Sequence, residues 1–178
     1  MSTLKLHVGC GDKIISGYRN IDARALPGVD EVGDITTLTH YAENSVDLIY
    51  ACHVLEHTGR YAYRDVLKRW FALLKPGGLL RLAVPDFEAV CTHYTQHKDL
   101  NVIMGLLYGG QTYAQNFHYV TFDFEHIKTD LLALGFQTVN RYDRWATEHA
   151  HIDDFSAAYL PHMDRNGQLM SLNIEAVK

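Results

Sequence analysis

Short apolar segments alternate with turn-forming residues along the first part of the chain. Leu4 to Val8 predicts a strand that runs directly into Gly9-Cys10-Gly11, and Asn20-Ile21-Asp22 predicts the end of a second strand. Val32 to Ile35 is a candidate third strand. Val46 to Cys52 is a continuous apolar run, which is typical of a parallel strand covered on both faces. The pattern therefore predicts a strand-rich first third with very short connections.

Helical spacing begins after these strands. Apolar residues between Tyr61 and Leu74 recur at intervals of three and four with charged residues between them, which predicts an amphipathic helix. Lys75-Pro76-Gly77-Gly78 ends it, because proline and paired glycines disfavour a continuing helix. Leu79 to Val84 then predicts another buried strand.

The second half of the chain is richer in helices. Gly109-Gly110 and Gly135 are expected to end two of them, since glycine is favoured just past a helix. The turn signal Asn166-Gly167 precedes the last strand and predicts an antiparallel hairpin there. Predicted helices follow Pro85-Asp86 and cover about Leu100 to Tyr108 and Glu125 to Leu134, and predicted strands cover Phe136 to Tyr142 and Leu169 to Val177.

The alternation of strands and helices indicates an α/β open sheet with ligands at the carboxyl ends of its strands. The 178 residues are expected to form a single domain, residues 1–178.

The net charge is −5 and no long Lys/Arg cluster is present, so we expect no nucleic-acid partner and favour a small molecule. Cys10, Cys52 and Cys91 form no C-x-x-C pair, which disfavours disulfides and structural zinc. With neither an export signal nor a membrane-length apolar run, a cytoplasmic location is expected.

The turn Gly9-Cys10-Gly11 and the acid Asp22 at the end of the next strand are typical of an adenosine site. Glycine after a strand lets a ligand approach the backbone, and the acid can accept both ribose hydroxyls. A dinucleotide site needs a third glycine three positions after Gly11, where this chain has Ile14. S-adenosylmethionine has no phosphate and does not need that glycine.

The ordered strings LKLHVGCG, NID, VGDI, DLIYACHVLEH, LLKPGGLLRLAVPD, GFQTV and SLNIEAVK resemble a class I S-adenosylmethionine-dependent methyltransferase of the small type 11-like family. The resemblance covers roughly the whole chain and is strongest from Leu4 to Asp86. It implies a Rossmann-like, mostly parallel seven-stranded sheet in the order 3-2-1-4-5-7-6, with the last strand antiparallel. It also implies cofactor contacts at the ends of four strands: Gly9, Cys10 and Gly11 at the methionine, Asp22 at the ribose, Asp34 and Ile35 at the adenine, and Ala51, Cys52 and His53 at the amino group and the methyl.

Two features depart from that family. His7 stands where the family usually has an acid that faces the cofactor's ammonium group, so a neutral imidazole is expected beside the cofactor. The connection from Gly11 to Asn20 is shorter than a usual strand–helix–strand crossover, so the first helix is expected to be short or absent. Both departures favour an alternative in which the chain is a catalytically silent, methyltransferase-like partner module.

The string HVLEH has the zinc-peptidase pattern H-x-x-E-H, and a zinc hydrolase is a minor alternative. Because the motif follows a strand and is also found after the fourth strand of the methyltransferase family, no metal site is predicted. His53, His57 and His118 are candidate catalytic bases, since imidazole titrates near neutral pH. His57 packing on the next helix and His118 lining a lid are the alternatives. His149 and several other histidines are expected at the surface.

Residues 87–124 are expected to form helices and an aromatic loop on the substrate side of the sheet, inserted after the fifth strand. The aromatic part of this segment, from Tyr108 to Phe124, predicts the acceptor pocket, packing beneath a loop, or a contact in a homodimer. The predicted activity is methyl transfer from S-adenosylmethionine to a small-molecule or saccharide-like hydroxyl acceptor, with neither nucleic acid nor a membrane as partner.

Overall fold

A seven-stranded sheet in the order β3-β2-β1-β4-β5-β9-β6 forms the centre of the computed structural model, which describes residues 3–178. Strands β1 to β5 run parallel, and β9 runs antiparallel to both of its neighbours, β5 and β6. The predicted sheet order is therefore confirmed. The strands are β1 (Lys5–Val8), β2 (Arg19–Asp22), β3 (Glu31–Val32), β4 (Val46–Cys52), β5 (Leu74–Pro85), β6 (Thr138–Arg141), β7 (Tyr159–Leu160), β8 (Gln168–Leu169) and β9 (Ser171–Val177). The helices are α1 (Tyr63–Leu73), α2 (Phe87–His97), α3 (Leu100–Tyr108) and α4 (Phe124–Leu134).

Helices α1 and α4 pack together on one face of the sheet, and the main apolar core lies beneath them. Successive strand residues point to opposite faces, so Ile49 and Ala51 of β4 belong to this core while Leu48 and Tyr50 do not. Trp70 of α1 is fully buried, and its indole N–H donates to the carbonyl oxygen of Ile35 at 2.9 Å. This bond ties the core to the turn that follows β3.

The opposite face of the sheet is covered differently. All residues between Gly9 and Tyr18 are described by the structure, and they form turns instead of a helix, as the short crossover predicted. Ile15 and Tyr18 from this connection pack on Leu48 and Tyr50 together with Ile152. Residues 143–158, which we call the covering segment, thus occupy part of the space that a crossover helix would fill.

A buried ion pair holds the covering segment together. Arg144 and Asp154 are almost completely buried and lie 3.1 Å apart. Arg144 also donates to the carbonyl oxygens of Ala150 and Ile152, and Asp154 accepts from the Tyr50 hydroxyl at 2.7 Å. Because both charges are hydrogen-bonded several times, the cost of removing them from water is largely offset. The bond to Tyr50 fastens the segment to the sheet.

Two neutral histidines flank Tyr50 on this face. The rings of His7 and His149 lie 5.0 and 4.3 Å from the Tyr50 ring. Burial lowers the pKa of each histidine to about 4. His149 is fully buried, and neither of its ring nitrogens has a hydrogen-bond partner within residues 3–178. The expectation that His149 lies at the surface was therefore wrong, because His149 lies in the covering segment, whose short 3₁₀ turns give no periodic sequence signal of burial.

The third and fifth strands differ in length from the prediction. Strand β3 covers Glu31–Val32 only, and Asp34 and Ile35 lie in the turn after it. Strand β5 begins at Leu74, and its pairing with β4 is irregular across residues 75–78, where Gly77 has φ of +76°. The Pro-Gly-Gly sequence thus interrupts the regular pairing of the strand without delaying its start.

The final strand is antiparallel for a different reason from the predicted one. The turn at Asn166-Gly167 connects β7 to β8, a separate two-stranded hairpin, and not two strands of the main sheet. Strand β9 follows one residue later and inserts between β5 and β6. None of the helices within residues 3–178 has the length and apolar character needed to cross a membrane.

We predict that Arg144→Ala lowers the free energy of unfolding by about 3 to 5 kcal/mol, because it leaves the buried carboxylate of Asp154 without its counter-charge. Urea unfolding at neutral pH measures this loss. Arg64→Ala is the matched control, since Arg64 pairs with Asp130 but half of its side chain is exposed. A loss in Arg144→Ala no larger than in the control would contradict the role assigned to the buried pair.

We predict that acid destabilises the fold between pH 6.5 and about 4. His7 and His149 bind a proton in the unfolded chain below pH 6.5 but stay neutral in the folded protein down to about 4, so stability falls with pH in this window. At pH 5 the loss is roughly 2 kcal/mol per histidine relative to pH 7. Urea unfolding at both pH values measures it. His149→Phe should remove only the part of the loss that His149 contributes, roughly 2 kcal/mol, because the buried His53 adds to the total loss as well, whereas the exposed His151→Phe should not change it.

Candidate functional site

The turn after β1 is tightly packed against the end of β4. Gly9 and Gly11 have φ of +66° and +55°, backbone conformations that residues with a Cβ atom rarely adopt. A Cβ atom on Gly9 would overlap the side chain of Val54. The N–H of Cys10 donates to the carbonyl oxygen of Ile21 at 3.0 Å, which fixes the turn beside β2. The turn therefore presents bare backbone to the space above the sheet.

Asp22 points from the end of β2 towards this turn. Its carboxylate accepts the Gly11 N–H at 2.8 Å and both the backbone N–H and the Nε–H of Arg24, at 2.9 and 3.1 Å. The Arg24 guanidinium also lies 4.5 Å from the centre of the Tyr113 ring. Arg24 thus joins the end of β2 to the loop after α3 and partly covers the carboxylate.

Two adjoining cavities, of about 710 and 410 Å³, follow the carboxyl ends of β1, β2 and β4. Gly9, Arg24, His53, His57 and Tyr113 line both of them. The first cavity also contacts His7, Cys10, Gly11, Cys52 and His118, together with Asp154 and Phe155 of the covering segment and part of α3. The second also contacts Asp22, Asp34, Ile35 and Val54.

The structure thus brings nearly all of the predicted site residues to one edge of the sheet. Ala51 differs, since it is 1% exposed and lines neither cavity. Asp34 lies at the rim, where Oδ1 accepts from the backbone N–H and the hydroxyl of Thr36, and these bonds, the hydroxyl's most of all, lower its pKa. His7 is neutral and nearly buried, with Nδ1 3.2 Å from the side-chain oxygen of Asn20.

His53 has a strained backbone at the end of β4. Its φ of +51° is uncommon for a residue with a side chain, and its N–H donates to the carbonyl oxygen of Ala83 at 2.7 Å. Nε2 lies 3.2 Å from the hydroxyl oxygen of Ser171. Burial, together with the nearby His118 and His57 rings, lowers its pKa to about 3. His53 therefore carries a neutral imidazole, and its orientation is fixed by its backbone hydrogen bond to Ala83 and by the contact of its ring with Ser171.

His57 and His118 face each other, with ring centres 4.8 Å apart. Nδ1 of His57 lies 3.1 Å from the carbonyl oxygen of Phe117, and Nδ1 of His118 lies 2.9 Å from that of Leu106. A carbonyl oxygen only accepts, so each Nδ1 carries a proton and each Nε2 of the neutral ring carries a lone pair. Burial is the main reason that both pKa values are lowered.

Glu56 is a residue of this site that the sequence analysis did not single out. Its carboxyl group is fully buried, and neither oxygen has a hydrogen-bond partner within residues 3–178. Burial raises its pKa to about 8. The H-x-x-E-H pattern contained this residue, but its letters alone do not show the burial. Asp154 and Phe155 were also missed, because they reach the cavity from a segment just over 100 residues away from His53 in the sequence.

The H-x-x-E-H segment does not form the helix that zinc peptidases use. Leu55–His57 is a single 3₁₀ turn after β4, followed by the extended residue Thr58. The two histidines therefore do not lie one α-helical turn apart on a common face. This backbone removes the structural basis for the zinc-peptidase interpretation.

The sheet order, the antiparallel β9 and the glycine turn at the end of β1 define a class I S-adenosylmethionine-dependent methyltransferase fold. Residues 17–82 match the family model described as a methyltransferase domain. By its fold and by this match over residues 17–82, the chain is similar to the class I S-adenosylmethionine-dependent methyltransferases. Comparison with curated protein sequences gives no significant match.

Several solved structures share the fold at low sequence identity. An S-adenosylmethionine-dependent methyltransferase of Archaeoglobus fulgidus is 14% identical with a TM-score of 0.60, over 99% of this chain and 86% of that chain. The 1,6-didemethyltoxoflavin-N1-methyltransferase of Burkholderia thailandensis, solved with bound 1,6-didemethyltoxoflavin and S-adenosylhomocysteine, is 18% identical with a TM-score of 0.60, over 99% of this chain and 71% of that chain. A Haloferax volcanii protein solved with the Trm112 methyltransferase activator is 14% identical with a TM-score of 0.58, over 99% and 82%.

We predict that Gly9→Ala abolishes detectable binding of S-adenosylhomocysteine. The added methyl group would push on Val54 and the backbone would be strained at positive φ, so the turn must move. Gly17→Ala is the matched control, because Gly17 has φ of +82° but has no atom within 4 Å of the added carbon. Calorimetric titration of both variants measures the difference. Equal binding by the two variants would contradict a role for the close packing at Gly9.

Proposed function

We propose that this methyltransferase methylates a hydroxyl group of a small-molecule or saccharide-like acceptor. The observation that carries the proposal is the pair of adjoining cavities, in which the glycine turn and Asp22 lie beside three imidazole side chains. A cofactor site and a set of polar groups suited to a hydroxyl therefore share one space.

The cofactor would extend across both cavities. The adenosine would occupy the smaller one, with its ribose at Asp22 and its adenine beside Asp34 and Ile35. The methionine portion would lie along the backbone of Gly9 to Gly11 in the larger one, close to Cys52. The ribose would take the place of the Arg24 side chain at Asp22, so Arg24 would have to move away from Tyr113.

The ammonium group of the cofactor would face an unusual environment. His7 supplies no charge, because burial keeps it neutral. Asp154 of the covering segment also lines the larger cavity, and its carboxylate acts on the pKa of His7. Asp154 would then supply the negative charge that an acid at position 7 supplies in related enzymes. Its bonds to Tyr50 and Arg144 hold it in place.

Methyl transfer to a hydroxyl requires in-line attack on the sulfonium methyl, with S-adenosylhomocysteine as the leaving group. A new C–O bond forms as the S–CH₃ bond breaks, and the hydroxyl proton must leave. His53, His57 and His118 would meet the acceptor on the larger cavity's wall. Nε2 of His57 and of His118 suit proton acceptance better than His53, whose nitrogens lie near Ser171 and Glu56. Positioning and exclusion of water would supply much of the rate.

The acceptor would enter along the segment 87–124. Helix α3 and the loop after it line the larger cavity with Val102, Leu106 and Tyr113, which offer apolar and aromatic surface to a ring. Small residues lie between them at Gly105 and Gly110. Such a wall suits a compact acceptor and supports the substrate-side role proposed for this segment.

A catalytically silent partner module is the second candidate. The contact between Arg24 and Asp22 favours it, because the carboxylate proposed for the ribose already has a partner within the chain. In this case Arg24 would keep the smaller cavity closed to the cofactor.

We predict that the protein binds S-adenosylhomocysteine and that Asp22→Ala weakens this binding at least tenfold. The variant removes the carboxylate that would accept the ribose hydroxyls, and each hydrogen bond to a charged group contributes about 1.5 to 3 kcal/mol. Calorimetric titration measures the affinity. Glu43→Ala is the control, because Glu43 is exposed and lies outside both cavities.

Transfer of a labelled methyl group from S-adenosylmethionine to a panel of monosaccharides and small phenols would test the acceptor class. Methylation of hydroxyl compounds would support the proposal, and methylation of amines alone would overturn it. Absence of any heat with millimolar S-adenosylhomocysteine would favour the silent module.

A further inference from the structure

Three side chains from two segments of the chain converge beside the larger cavity. Glu56 and His57 belong to the 3₁₀ turn after β4, and His118 belongs to the segment between α3 and α4. One oxygen or nitrogen atom from each lies within 4.8 Å of the other two. Two imidazoles and one carboxylate are a donor set that divalent transition metals favour in proteins.

The two histidines are oriented for ligation through the same atom. The carbonyl oxygens of Phe117 and Leu106 accept the Nδ1–H groups of His57 and His118, which leaves the Nε2 lone pairs directed away from the backbone. Metal-binding histidines commonly have such a backbone or carboxylate partner on the other nitrogen, which fixes the tautomer and the ring. The backbone partners that usually hold metal-binding histidines in place are therefore present for both rings.

The burial of Glu56 supports a metal site independently of the two histidines. Glu56 is fully buried, and both of its oxygens lack a hydrogen-bond partner among the residues that the structure describes. Two histidine nitrogens lie within 4 Å of it: Nδ1 of His53 at 3.3 Å, in an orientation that makes no hydrogen bond, and Nε2 of His118 at 3.9 Å. A buried carboxylate that faces a nitrogen lone pair is strongly unfavourable unless a cation or a proton lies between them.

We propose that Glu56, His57 and His118 bind a divalent transition metal ion of the zinc type. Two donors bound to one tetrahedral ion at about 2.1 Å lie about 3.4 Å apart, so the three side chains would close in by about 1 Å or less. The sequence predicted no metal site, because H-x-x-E-H follows a strand and is also found after the fourth strand of the methyltransferase family. Here Glu56, the middle residue of the motif, is itself a ligand, which differs from the zinc-peptidase arrangement.

The ion would face the larger cavity, since His57 and His118 line it. Three protein ligands leave at least one coordination position for an oxygen atom. Resting on the proposed function, we expect that position to hold the acceptor hydroxyl and to lower its pKa, as metal ions do for bound water. With the ion bound, Nε2 of His57 and of His118 would hold the metal instead of accepting the hydroxyl proton, which would pass to solvent. The ion site itself does not depend on methyl transfer and can be tested without it.

The test is a titration of cobalt(II) chloride, followed by visible absorption, and of zinc chloride, followed by calorimetry. The protein should be purified without a histidine tag and treated with a chelator beforehand. We expect one ion per chain and a loss of affinity of at least tenfold in Glu56→Gln and in His118→Asn. Zinc should also raise the thermal midpoint of the unmodified protein but not that of Glu56→Gln.

His97→Ala is the matched control, because His93 and His97 form a histidine pair on α2, with ring centres 4.5 Å apart, that can bind added ions by itself. Binding that is lost in His97→Ala and kept in His118→Asn would overturn the proposal. Absence of any stoichiometric binding would also overturn it, and would mean that buried Glu56 is neutralised by a proton instead of a metal ion. S-adenosylhomocysteine binding, measured in parallel, reports on the proposed function separately: its loss with intact metal binding would count against the cofactor site alone.

Discussion

The short connection between β1 and β2 is the constraint on which this molecule depends. Too few residues lie between Gly9 and Tyr18 for a helix that could cover the sheet. The strands β1, β4 and β5 still have a second face, which must be kept from water. Residues 143–158 cover it, although they come from the far end of the chain.

This arrangement changes the character of the interior. A crossover helix would cover the sheet mainly with apolar side chains, whereas the covering segment does so with bonded polar groups. Arg81 of β5, for example, donates to Glu148 and to Glu175, and Asn173 of β9 donates to the carbonyl oxygen of Ser156. The interior on this side is therefore specified by hydrogen-bond partners more than by apolar volume. The opposite face, under α1 and α4, is an ordinary apolar core.

The regular elements were predictable because they depend on local patterns. The buried run Val46 to Cys52 and the helical spacing after Tyr61 correspond closely to β4 and α1. The glycine turn and Asp22 could also be placed at one edge, since parallel strands end together. The burial of Glu56 and of His149 could not be predicted, because it is produced by residues far away in the sequence that carry no periodic signal.

The covering segment also has a consequence for biosynthesis. Asp154 and Phe155 complete the wall of the larger cavity, and they lie close to the carboxyl terminus of this sequence. A growing chain that has finished β1 to β5 has the glycine turn but lacks that wall, and β9 has yet to insert beside β5. Such long-range contacts form late. A ligand would therefore find the larger cavity complete only after residues 143–158 have folded onto the sheet, whereas the smaller cavity, walled by earlier residues, would already be available to a partly synthesised chain.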